Sequence, residues 1–554
     1  MKKQAWLLSL MLILAMFLAA CSGGGGTSTE PEKEGEDGKD TEEAAGEPVQ
    51  GGDFIIGSTG APTMFNPLYS SDASSSDIEG MIFDTLVGSD LEFNPVPENG
   101  IAESVEMAED GLTYTVKIVE NVKFHDGEPL DADDVVFTYN IPLSDDYDGP
   151  RKSNFEALES VEKIDDYTIK FNMSKVDAQF ESVTFGSYGI LPEHILKDVP
   201  IADLGEHEFN TKNPIGSGPF KFEEWKDGEY IKVVANEDYW EGRPYFDSVT
   251  YKLIPDANAI IAQLQAGDID YYAGIAQQDV ATVEGFADSV GLRLESGLAL
   301  SYTFLGFNQR MDMFKDVKVR QAITHAIDRE SIVENIMAGL GEVAHVPESP
   351  LSWAYNPEVP KFEYDVEKAK EMLAEAGWTP GSDGILEKDG EKFSFELKTN
   401  QGNKVREDIV VILQQQLKEV GIEVKPQIVE FSSLIADIDP GVWDFEGIVL
   451  GWSLAIDPDP SGIFHTKEIE QGLNFTGYSN PELDKLMDES LQELDKDKRK
   501  EMIGKVQVGL AEDQAYNFLY YPEEYRALPA NLEGFEFHAK NQLYNIEKWW
   551  LKPE

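Results

Sequence analysis

Residues 405–419 read VREDIVVILQQQLKE, with apolar residues recurring at a 3.6-residue period, and the β patterns Ile422-Glu423-Val424 and Phe445-Glu446-Gly447-Ile448-Val449-Leu450 come after them. A helix followed by buried-type strands is the repeating unit of an α/β layer. Two further helical stretches, 317–336 and 366–376, precede it, so the chain beyond about residue 300 is expected to form an α/β lobe. The carboxyl end, from Asn517-Phe518-Leu519-Tyr520-Tyr521 onward, is strand-like again and is expected to return to the first half of the fold.

The first half has a different texture. Asp53-Phe54-Ile55-Ile56-Gly57, Thr113-Tyr114-Thr115-Val116-Lys117-Ile118 and Thr168-Ile169-Lys170-Phe171-Asn172-Met173 show the alternation of half-buried strands. Asp126-Gly127 marks a turn, and Asp131 before Ala132-Asp133-Asp134-Val135-Val136-Phe137 is placed to cap a helix by accepting from the third helical N–H. A second β-rich block runs from Gly216-Ser217-Gly218-Pro219-Phe220 to Ser248-Val249-Thr250-Tyr251-Lys252-Leu253, and a helix over 257–266 comes next. No tandem repeat is present.

The amino terminus carries a different kind of signal. Met1-Lys2-Lys3, an apolar run to Leu18 and then Ala19-Ala20-Cys21 have the form of an export signal that ends in a lipobox, and Cys21 is the sole cysteine of the 554-residue chain. The run is too short for a spanning helix, which needs about 20 apolar residues. Residues 1–20 are therefore expected to be removed and Cys21 acylated, which places the protein on the outer face of the cytoplasmic membrane; several acyl chains at about 0.8 kcal/mol per buried methylene make a lasting anchor. Residues 21–50, rich in Gly, Glu and Asp and free of aromatics, cannot bury enough surface to order themselves and read as a tether.

Composition excludes several classes of function. A net charge of −59 rules against nucleic-acid binding and against electrostatic docking on anionic lipid. The seven histidines form no ligand-spaced cluster and the mature fold has no thiol to spare, so neither a metal site nor a cofactor is expected. No metallopeptidase, nucleophile-elbow or phosphate-loop motif occurs, so the chain is not expected to be an enzyme.

Taken in order, Val122-Lys123-Phe124-His125-Asp126-Gly127, Asp133-Asp134-Val135-Val136-Phe137, Gly216-Ser217-Gly218-Pro219-Phe220, Leu264-Gln265-Ala266-Gly267-Asp268-Ile269-Asp270, Val317-Lys318-Val319-Arg320-Gln321-Ala322-Ile323 and Ala374-Glu375-Ala376-Gly377-Trp378 resemble the bacterial extracellular solute-binding proteins of family 5, the oligopeptide and dipeptide receptors of ABC importers. The resemblance implies an α/β, two-lobed periplasmic-binding-protein-like fold of the class II or cluster C type, with an extra subdomain in the first lobe. The expected division is 51–90, 213–300 and 521–554 for the first lobe, 91–212 for the subdomain and 301–520 for the second lobe. It further implies a monomer that clamps a short peptide between its lobes and presents it to the permease subunits of an ABC transporter. The same fold in relatives takes nickel chelates, oligosaccharides or peptide pheromones.

The same resemblance places the ligand against Gly451-Trp452-Ser453-Leu454-Ala455-Ile456-Asp457-Pro458-Asp459-Pro460. Well-known peptide receptors carry an aspartate three residues after the tryptophan; here that position is Ala455, which leaves Asp457, and secondarily Asp459, as partners for a ligand amine, with Asx-turn bonding as the competing role. Trp452 offers flat apolar area beside Ser453 and Leu454. Lys398 and Arg406 are the candidates for a ligand carboxylate, against solvated surface charge. Asn308 is expected at a lobe crossing, pairing with ligand backbone or fixing a turn.

Overall fold

The structure is a computed structural model that describes residues 47–553, Gln471 excepted. The export signal, Cys21 and the tether up to residue 46 lie outside the described residues. No described helix is long and apolar enough to cross a membrane.

The expected strands form where alternation placed them, and three sheets carry the architecture. In the first, Asp53–Ser58 runs parallel to Ser248–Leu253, which is followed outward by Tyr230–Ala235 and Phe220–Lys226. In the second, an antiparallel sheet, Ala102–Met107, Thr113–Ile118, Thr168–Met173 and Leu158–Asp165 lie side by side. Both belong to one contiguous apolar core, which reaches from Phe54 through Val116, Phe171 and Tyr188 to Leu543 and Trp549. The helix Ala132–Asn140 over the antiparallel sheet starts as expected at Asp131. Its carboxylate accepts from the N–H of the third helical residue, Asp134, as expected, and also from that of Asp133 at 2.8 Å, and the Asp134 carboxylate accepts in return from the Asp131 N–H at 3.0 Å.

The third sheet has eight strands, and three further apolar cores draw on it. Ser394–Asn400 and Glu423–Val429 pair in parallel beside Gly447–Ser453, with the helix Lys404–Glu419 packed over them through Ile409, Val410, Leu413 and Leu417. The helix expected over 317–336 is interrupted. Val317–His325 ends, Asp328 caps a new turn at Arg329–Ser331 by accepting from the Ser331 N–H, and a wider π turn covers Ile332–Ile336. The Asp328 side chain competes with continued helix bonding, and a periodicity count cannot register that competition.

One long strand of this sheet changes partners along its length. Asn517–Pro529 pairs through its first part with Ser301–Phe307 and through its second with Leu292–Leu298. The change of partner falls at Pro522, which has no N–H for a ladder, and the Ala299 N–H donates to the Pro522 carbonyl at 2.8 Å. The stretches where the chain passes from one partner pairing to the other, 298–301 and 520–523, are therefore bonded to each other.

Candidate functional site

Beside these crossings lies a cleft of about 1250 Å³. Its size exceeds the usual 300–1,000 Å³ of small-molecule pockets, so it suits an extended ligand. It is lined by the start of the helix Ala73–Ile82, capped by Asp72, by Tyr520 and Pro522–Arg526, and by Arg406 and Ser453. Lys540 and Gln542, from the carboxyl-terminal segment, line it too.

Two of the expected site residues line this cleft. Ser453 is exposed at the end of its strand, paired in register with Ser301 at the crossing. Arg406 lies across Gly451 so closely that a Cβ there would stand 2.5 Å from Nη2, and its Nη1 donates to the Asn400 side chain at 3.1 Å. Burial holds the Arg406 guanidinium below its usual pKa range.

The other expected residues do not line this cleft, and each has partners of its own. Asp457 is buried and held bidentately by Arg499, at 2.7 Å to each oxygen, and also accepts from the Asp459 N–H at 3.1 Å. A carboxylate so engaged has no charge left for a ligand amine. Asp459 caps the next turn by accepting from the Ser461 N–H at 3.1 Å and from the Ser461 hydroxyl, and burial pushes its carboxyl up to about 6. The Trp452 ring packs toward Phe475 at 6.2 Å on the core that also takes the Leu454 side chain. Lys398 donates to Asp437 at 2.8 Å and to the Asp444 carbonyl at 2.6 Å, away from the cleft. Asn308 ends the strand Ser301–Phe307 at the side remote from the crossing, where it donates to the carbonyls of Trp443 and Phe445 and accepts from Arg310. Asn308 and the two aspartates each have local backbone or ion-pair partners that satisfy them on burial.

Other cleft groups escaped the sequence reading. Asp77 accepts from the Tyr251 hydroxyl at 2.8 Å and from Gln542, yet burial pushes its carboxyl up to about 6. Glu79, bonded by the Ser70 hydroxyl at 2.9 Å, is pushed up to about 8 by the same desolvation. Arg526 also lines the cleft while almost wholly buried, donating to the His538 carbonyl at 2.7 Å with its guanidinium 4.1 Å from the Phe537 ring centre. The serine-rich run from Ser70 to Asp77 was the available signal for its part of the lining. Lys540 and Gln542 sit in a stretch with no motif.

Comparison with known proteins fits this arrangement. The model of bacterial extracellular solute-binding proteins, family 5, matches residues 96–472. The oligopeptide-binding protein AppA of Bacillus subtilis (strain 168) is 53% identical over 553 residues, 99% of each chain. The structure of Bacillus subtilis AppA in complex with a nonapeptide superposes with a TM-score of 0.75 at 55% identity, covering 91% of this chain and 100% of that one. The ABC transporter substrate-binding protein CtaP of Listeria monocytogenes superposes at 0.82 with 28% identity, covering 91% and 99%.

Proposed function

Because the chain belongs to the family 5 bacterial extracellular solute-binding proteins, we propose that it captures short peptides in the cleft beside its chain crossings and hands them to an ABC importer. The observation that carries this reading is the cleft itself, lined by Tyr520 and Pro522–Arg526 at the point where one strand changes partners. A ligand that bridges the cleft favours the closed arrangement by its differential contacts with the two states. The first lobe comprises 51–90, 213–300 and 521–554, the subdomain 91–212 and the second lobe 301–520, and the protein acts as a monomer. Arg406 and Ser453 face the ligand: the guanidinium takes a carboxylate or peptide carbonyls, and Ser453 adds a hydroxyl. The chemistry is binding alone, with no covalent step and no cofactor. Cys21 carries the lipid that keeps the protein at the outer face of the membrane, and replacing it with serine should release the protein into the medium.

Peptides bound to the folded form raise the unfolding temperature according to RT ln(1 + [L]/Kd), about 2.7 kcal/mol at a hundredfold excess over Kd. Protein stripped of carried-over ligand should gain this stabilisation from a mixed library of short peptides. A shift with a nickel chelate or an oligosaccharide and none with peptides would overturn the assignment.

A further inference from the structure

Ser453, at the end of the strand Gly447–Ser453, lines the cleft, and the lining cation Lys540 reaches the turn that follows it. Lys540 belongs to the segment whose Leu543, Ile546 and Trp549 pack in the core around Phe54, whereas the Leu454 side chain packs on the core around Phe518. The Lys540 Nζ nonetheless donates to the Leu454 carbonyl at 3.0 Å. That carbonyl is held in place from behind, because the Leu454 N–H donates to the Leu300 carbonyl at 2.8 Å. The residues on either side, Ser453 and Ala455, are exposed and uncharged.

The charges facing the Lys540 ammonium are the Glu524 carboxylate and the Arg151 guanidinium. Glu524 is shared, since Arg526 Nη2 lies 3.8 Å from its Oε2. Solvent reaches Lys540, so a ligand can approach it as well. At this corner the turn's acceptor is taken and the nearby carboxylate is divided between two cations.

We propose that Lys540 is a specificity-determining residue of the cleft, which blocks a ligand's free ammonium from the Leu454–Ala455 turn and favours a neutral or anionic group there. This inference rests on the peptide reading above and names the peptide class that the site selects. Like charges about 4 Å apart repel strongly enough, at the dielectric of a partly buried site, to move an affinity about tenfold or more. Peptides whose amino end is acylated, or whose amino end lies beyond this corner, escape that penalty.

The test uses one nonapeptide library made twice, with free and with acetylated amino termini, titrated against the mature protein and its Lys540→Met and Lys540→Glu variants. Wild type should bind the acetylated set at least as tightly as the free set. Lys540→Met should move the ratio toward the free amine, and Lys540→Glu should move it at least tenfold. If both sets bind and the ratio is the same in all three proteins, the role of Lys540 is overturned while peptide binding stands. If neither set binds wild type, the peptide reading fails and this inference fails with it. The Met variant removes the charge and keeps the length, so a folding defect confined to the Glu variant does not decide the outcome.

Discussion

Arg499 and Asp457 form a two-pronged ion pair that water scarcely reaches: Nη1 and Nη2 each donate at 2.7 Å to a separate carboxylate oxygen, and the side chains keep 5% and 4% of their exposure. The pair ties the turn after Ser453 to the helix Lys496–Asp513, and Arg499 Nε also donates to the Ser490 carbonyl at 3.1 Å.

Removing one partner of such a pair leaves a buried charge without compensation. Arg499→Met is expected to cost about 3–5 kcal/mol in denaturant unfolding, and adding Asp457→Asn should recover most of that loss. Asp457→Ala should weaken free-amine and acetylated peptides alike, because its carboxylate serves Arg499. A selective loss of free-amine peptides would return Asp457 to the binding site.

Gly451 is the bed on which Arg406 lies. A methyl group there would stand 2.5 Å from Nη2 and 3.0 Å from the Tyr302 carbonyl, so Gly451→Ala must displace the guanidinium. If Arg406 holds a charged ligand group, the substitution should weaken binding about 10–100-fold, as losing a bond of about 1.5–3 kcal/mol to a charged group implies. Calorimetric titration of peptides with free and amidated carboxyl ends would measure this. An unchanged Kd for both would place the ligand elsewhere.

Glu79 makes stability depend on pH with a defined sign. Burial raises its folded-state pKa to about 8, so between the ordinary glutamate range and pH 8 the native protein holds a proton that the unfolded chain has released. Stability from this group is full below about pH 4.5 and declines as pH rises through about 8, by up to about 1.4 kcal/mol per pH unit. Glu79→Gln keeps a partner for Ser70 and removes the titration. Its unfolding temperature, compared with wild type from pH 5 to 8.5, should gain steadily on the alkaline side; a constant difference across the range would contradict the assignment.

Gly216-Ser217-Gly218-Pro219 is a packing device. The Gly218 N–H donates to the Ile82 carbonyl at 2.8 Å, and a Cβ at Gly218 would come within 2.7 Å of both the Met81 carbonyl oxygen and the Ile82 carbonyl carbon. Gly218→Ala should destabilise the protein by about 1–3 kcal/mol as an overpacked site, with peptide affinity retained in the fraction that folds. Thermal unfolding followed alongside ligand titration separates the two effects.

The order of strands and helices was legible in the chain. Alternation over Thr113–Ile118 and Thr168–Met173, the 3.6-residue stripe of Lys404–Glu419 and the aspartate before Ala132 are properties of neighbouring residues, and local geometry follows from them. The break after His325 was not legible, since a single aspartate side chain at 328 outcompetes a periodicity that continues past it.

The binding residues divide in the same way. That an α/β chain would present a cleft near residues 451–453 could be read from the sequence through its resemblance to a family, and Arg406 and Ser453 do line one. Which carboxylates and cations are left over for a ligand was decided by the tertiary structure alone. Asp457 meets Arg499 42 positions later, Lys398 meets Asp437, and Lys540 reaches back 86 positions to Leu454. A buried charge takes whichever partner the fold carries to it, and that meeting depends on the path of the whole chain, which no local pattern contains.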